Sequence, residues 1–414
     1  MPAQALAAAR RAWWVAGLWA IVILASVPIA RGVQDLVVAS VGRGAYLWFA
    51  AASLAGALLL GGLALRRSLG ARIWGRLPWL LVPSAIAAVY GWHLRQAPEE
   101  ALHFAEYGVL GLLLQRALRH GLPDAGSFAA ALLAGTLFGV LDEFVQWLMP
   151  GRFWDLRDVF VNALASLLAL IALAGGLRPP EILRRPAAGS VRAACGLTAA
   201  LALAVVLALS NTPPVEQALA RALPPLRYQV ERGVVMTEYG YLHEVPGVGG
   251  LYSRLGWEAL RVEDEGRAAA AARVLDGYPG DDDYKVFLRE YPPFRDPFLH
   301  EVRVHLFRRD RYRARATATP PPPLAERRRM ATTAWREDRL LQACCGATLA
   351  ASGYALSADA WAPLAPWIDR DTPYVSAVGG HLIVRFRPRS AWIAALLTWA
   401  GLAAVAWRWG RARA

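Results

Sequence analysis

The sequence predicts an all-α polytopic membrane bundle of about eight transmembrane helices, interrupted by an α+β extracytoplasmic domain. Three observations lead there. Of 414 residues, 56% are hydrophobic and 17 are Trp, above the apolar share of soluble domains. The apolar residues gather into runs near the roughly 17–25 residues that cross a bilayer. Residues 211–390 lack such runs and have a mixed, charged composition.

The runs fall at about 12–30, 46–65, 75–93, 101–118, 127–148, 157–175, 193–210 and 391–408. The first follows Arg10–Arg11 and has a front half like that of a signal peptide, but its length favours an uncleaved anchor. The fourth carries His103, Glu106, Gln115 and Arg116, which are expensive in lipid and should face the bundle or the interface.

Arginine sets the orientation. Arg10 and Arg11 precede the first span, and Arg66, Arg67, Arg72 and Arg76 follow the second. Arg116 and Arg119 follow the fourth, Arg178, Arg184, Arg185 and Arg192 the sixth, and Arg408, Arg411 and Arg413 the last. The alternate loops are poorer or balanced: Arg31 and Arg43 with Asp35, Arg95 with Glu99 and Glu100, Arg152 and Arg157 with Asp155 and Asp158. Positive charge marks the cytoplasmic side, so both termini are expected inside and 211–390 outside.

The formal net charge of +13 is almost wholly Arg, since Lys285 is the only lysine. Residues 211–390 hold 25 Lys+Arg against 22 Asp+Glu, and the rest of the chain 20 against 10. Basic charge therefore flanks the apolar runs and gives no nucleic-acid footprint. Cys195 sits in an apolar run, and the adjacent Cys344 and Cys345 offer neither a disulfide framework nor a metal knuckle.

Within 211–390, Leu251, Leu255, Leu260, Val262 and Val274 spaced among charges predict an amphipathic helix over 250–278. Val302, Val304 and Leu306 alternate with Arg303 and His305, predicting a strand or hairpin over 298–317. Pro320–Pro323 reads as an extended break, 325–353 as helix, and 381–386 as β-rich. His300-Glu301 with His305 misses the metalloprotease spacing by one residue and reads as strand packing. Asp281–Asp283 reads as a solvated turn, and Arg308–Arg315 as an exposed strand edge.

Three polar clusters stand out in the apolar half. His103 and Tyr107 share one face of the fourth span, with Glu106 beside them. Asp142, Glu143 and Gln146 lie near the end of the fifth. Pro150-Gly151-Arg152 leads to Asp155, Asp158 and Asn162, the last two one turn apart on the sixth. The alternation of spans puts all three clusters at one membrane face, the outer one.

The run from about 99 to 170 resembles the VanZ-like family, named for an accessory protein of teicoplanin resistance. His103 and Tyr107 match its first element, Glu143 and Gln146 its second, and Pro150, Gly151, Arg152, Asp158 and Asn162 its third. Glu99, Glu100 and Ala101 stand where the family often has Asp-Lys before the His, and Ala165 and Ser166 where a Gly usually follows the Asn. The second departure predicts looser helix packing.

On this reading the chain divides into a VanZ-like bundle at 1–175, a basic cytoplasmic loop and seventh helix at 176–210, the extracytoplasmic domain at 211–390, and a last helix with a basic tail at 391–414. The clusters would bind an anionic lipid or lipid-linked envelope headgroup, Arg152 and His103 holding phosphate. Glu143 or Asp158 would serve as general base with His103, Tyr107, Gln146 and Asn162 orienting, and Glu106, Asp142 and Asp155 lining the site. The competing reading is a non-enzymatic scaffold in which the polar motifs only pin helices and 211–390 docks an envelope protein. No metal or cofactor is expected.

Overall fold

The computed structural model describes residues 3–96 and 98–411; Arg413 of the basic tail lies outside them. The chain forms two compact units, one of residues 1–209 with 391–414, the other of residues 210–390.

The first unit is helical throughout: α1 (Ala3–Val41), α2 (Ala45–Leu69), α3 (Pro78–His93), α4 (Leu102–Leu118), α5 (Gly126–Leu148), α6 (Leu156–Ile171), α7 (Ala188–Ser210) and, after the second unit, α14 (Pro388–Arg411). Asp155 caps α6 by accepting from Arg157 N, and a π turn carries that helix on to Leu177. Asp124 joins two helix starts, accepting from Gly126 N of α5 and from Ala187 N and Ser190 Oγ at α7. Trp14, Leu18, Ile21, Trp48, Leu60 and Leu397 are exposed on the outside of this unit, as a lipid-facing surface requires.

Among the described residues six helices are long and apolar enough to cross a membrane: Ala3–Val41, Ala45–Leu69, Gly126–Leu148, Leu156–Leu177, Ala188–Ser210 and Pro388–Trp409. The chain is thus a multi-pass membrane protein. The sequence-based figure of about eight included α3 and α4, which have only 16 and 17 residues. At 1.5 Å per residue they reach about 24–26 Å, short of the roughly 30 Å hydrocarbon layer.

The second unit contains α8 (Pro213–Ala222), α9 (Arg227–Arg232), an antiparallel hairpin of β1 (Tyr241–Val245) and β2 (Gly249–Ser253), then α10 (Trp257–Asp276), α11 (Asp281–Glu290), α12 (Pro297–Ala316) and α13 (Leu324–Ala351). Its core is Leu251, Leu260, Leu275, Phe287, Phe298, Leu306 and Leu340 among their neighbours.

The helix expected at 325–353 is α13, but the strand expected over 298–317 is the helix α12. Asp296 caps it at Leu299 N, and Pro297 occupies its first turn. Phe298, Leu299, Val302 and Leu306 then form a helical stripe. The two-residue alternation misled because Arg303 and His305 are buried along with their apolar neighbours. Residues 250–278 divide into β2 and α10, with Gly256 between them. Residues 381–386 pair only through an isolated bridge from Ile383 to Tyr239. The α+β expectation therefore gives way to a mostly helical unit with one hairpin.

Candidate functional site

Helices α4, α5 and α6 approach closely because glycines face small side chains at their crossings. Cβ atoms added to Gly111 or Gly135 would come within 3.1 Å of Ser166, and one on Gly139 within 3.1 Å of Asn162. Ser166 Oγ also donates to Tyr107 O at 2.9 Å. The absence of glycine at 165–166 therefore does not loosen the packing: the glycines sit on the facing helices.

This packing brings the three clusters together. Tyr107 OH donates to Asp142 Oδ2 at 2.9 Å. Gln146 Nε2 donates to Glu143 Oε1 at 2.6 Å, and Asp155 N to Glu143 Oε2 at 2.9 Å. Glu143 thus fixes the loop that enters α6 while remaining fully buried. His103 Nδ1 lies 3.5 Å from Glu106 Oε2 and within electrostatic reach of Asp142 and Asp158. Arg152 is likewise within reach of Asp158.

A second ring of contacts was not anticipated from sequence. Trp19 Nε1 of α1 donates to Glu106 O, and Arg31 donates to Gly151 O. Arg157 pairs with Glu100 at 2.6 Å, and Arg43 and Gln34 both reach Glu99. The clue was present in Arg31 and Arg43, cations on the loop facing the clusters. Glu99 and Glu100 therefore meet cations from elsewhere in the bundle, where the family pattern has a lysine in the chain.

Several buried polar atoms in this region make no hydrogen bond. Both ends of the Asn162 carboxamide are without a hydrogen bond although the residue is fully buried, and so are Asp142 Oδ1 and Asp158 Oδ1. Leaving such a group unpaired costs about 1–3 kcal/mol. Among the described residues no group of three or more His, Cys, Asp or Glu could hold a metal ion.

The second unit buries charge too. Glu337 of α13 accepts from Arg308 Nε, Tyr374 OH and Ser376 Oγ, and its Oε2 lies 2.5 Å from His305 Nδ1. Burial pushes this carboxyl up, but His305 and the hydroxyls outweigh it and hold it below the ordinary value. Arg309, 1% exposed, pairs with Asp310 and Asp338. Its burial overturns the exposed strand edge expected at Arg308–Arg315. Glu238 is raised by burial and lowered further by His381 and Arg254, reaching about 2. His300 and His305 occupy one helix, His300 facing Tyr291 O, so neither packs across strands. Asp283 accepts from Gly280 N at the start of α11, where a turn was expected.

No curated protein and no solved structure matches the chain. The segment holding all three clusters is recognised nevertheless: residues 72–175 match the VanZ/LLP1 family model, so the chain carries a VanZ-like membrane domain there, with the remainder unassigned.

Proposed function

We propose that the bundle binds a lipid-linked headgroup of the cell envelope at the outer membrane–water interface. The observation that carries this reading is the set of buried atoms without a hydrogen bond on Asn162, Asp142 and Asp158. Asparagine and carboxylate oxygens accept from hydroxyl or amino groups, and Arg152 suits a phosphate. The headgroup that fits combines the two, an anionic phosphate with hydroxyl or amino donors. Should a bond be broken there, Asp158 is the available base and His103 the proton relay, since both oxygens of Glu143 are engaged in holding the α6 loop.

The arginine distribution supports cytoplasmic termini and an external 211–390. Alkaline phosphatase fused after residue 300 should be active and after residue 185 inactive; the reverse pattern overturns the orientation. For the site, native mass spectrometry of lipids retained by the purified protein should show a species lost in Asp158→Asn at unchanged membrane abundance. Retention of the same lipids by the variant rejects the assignment.

The scaffold reading draws on the Tyr107–Asp142 and Asp155 N–Glu143 bonds, which tie α4 to α5 and α5 to the loop entering α6. It expects Glu143→Gln to reduce folded protein and phenotype equally. It also expects deletion of 214–388 to remove the phenotype with the motifs intact.

A further inference from the structure

A continuous helix turns successive residues about 100° apart, which would hold the side chains of Cys344 and Cys345 away from each other. In α13 the helix is broken at that point. Cys345 takes φ −145° and ψ 33°, and the two free thiols have their Sγ atoms 2.6 Å apart. The amides beyond the break are occupied: Ala347 N and Thr348 N donate to the Asp264 carboxylate of α10 at 2.9 and 2.8 Å. Asp264 acts as an N-cap for the short helical segment that follows. A neighbouring helix thus fixes the broken geometry without any bond between the sulfurs. Both cysteines are buried, Cys345 at 2% and Cys344 at 7% exposure, and Cys344 also lines a surface depression with Trp257, Arg261, Asp264 and Gln342.

We propose that Cys344 and Cys345 form a redox-active dithiol that closes to a vicinal disulfide by exchange with a disulfide oxidant. The Cys344 thiolate attacks one sulfur of the oxidant, forming a mixed disulfide and releasing the first thiol. The Cys345 thiolate then attacks Cys344 Sγ, closing the ring and releasing the second. Two protein thiols are oxidised, the oxidant's disulfide is reduced to two thiols, and the two cysteine protons end on them. Burial pushes the Cys345 thiol well up, which keeps it out of the first exchange and makes ring closure the slow step. Adjacent Cα atoms lie about 3.8 Å apart, shorter than the roughly 4.4–6.8 Å usual for a disulfide, so the ring is readily reduced. The pair then follows its surroundings as a reversible site, and the inference stands apart from the headgroup reading.

The full-length protein in detergent, equilibrated with reduced and oxidised glutathione, acid-quenched and alkylated, tests this by mass spectrometry. Alkylation should fall from three cysteines to one, with the loss confined to the peptide holding Cys344 and Cys345 and no glutathione retained. Cys345→Ser should stop at a glutathione adduct on Cys344. Three alkylatable thiols up to the point of unfolding, or a persistent glutathione adduct on the unsubstituted chain, overturns the proposal. The result on the unsubstituted protein decides the matter even if the variant fails to fold.

Discussion

Glu337 in one unit and Asn162 in the other are both fully buried, yet the first has four side-chain partners and the second has none. Around Glu337 all four contacts come from inside the protein, although Arg336 Nε and His305 Nε2 beside it make no hydrogen bond. Arg336 reaches the carbonyls of Gly247, Val248, Arg370 and Thr372, and Glu301 takes Ser253 and Arg254. Around Asn162 the hydrogen-bonding needs are left open at the meeting point of three closely packed helices. Buried polarity thus ties elements together around Glu337, whereas in the bundle it leaves the Asn162 carboxamide without a hydrogen bond. The difference lies in the count of partners, not in residue type.

Four measurements break or sharpen that contrast. Glu337→Ala leaves His305 and Arg308 without their shared carboxylate, so it should destabilise the 210–390 unit by about 3–5 kcal/mol. Denaturant unfolding of the full-length protein reads this, and a loss below about 1 kcal/mol would erase the distinction. Acid comes next. The Glu238 carboxyl stands at about 2 against 4.5 ordinarily, so its stabilisation is complete above pH 4.5 and lost as pH falls towards 2. At about 1.4 kcal/mol per unit, the loss is roughly 3 kcal/mol, and Glu238→Gln should flatten the stability profile in that window alone.

Gly139→Ala forces a methyl against Asn162 and should cost about 1–3 kcal/mol in melting of the bundle; no change there would show that the crossing is looser than drawn. Asn162→Ala has the smallest expected effect on stability, below about 1 kcal/mol, because no protein partner is orphaned. It should nevertheless abolish retention of the lipid that the unsubstituted protein carries. A large destabilisation without lipid loss would move Asn162 into the same class as Glu337.

The bundle was the more legible half of the sequence. Long apolar runs can be little else, and the i,i+4 spacing of His103 with Tyr107 and of Asp158 with Asn162 survives as shared faces. The contributions of Trp19, Arg31 and Arg43 were hidden because no local pattern says which distant helix a cation meets. The 210–390 unit was misread where charge was buried. Arg303, His305 and Arg309 imitate a solvent face, and only their partners on α13 and around Tyr278 show them to be inside. Asp296-Pro297 is a helix start signal that the strand expected over 298–317 passed over.

The short helix α3 bears on the lipid itself. Trp79 and Trp92 stand exposed near its two ends, 13 residues or about 20 Å apart along the axis. Indole rings settle at the headgroup level, so the two tryptophans of α3 match only a hydrocarbon layer about 10 Å thinner than the roughly 30 Å of an ordinary bilayer.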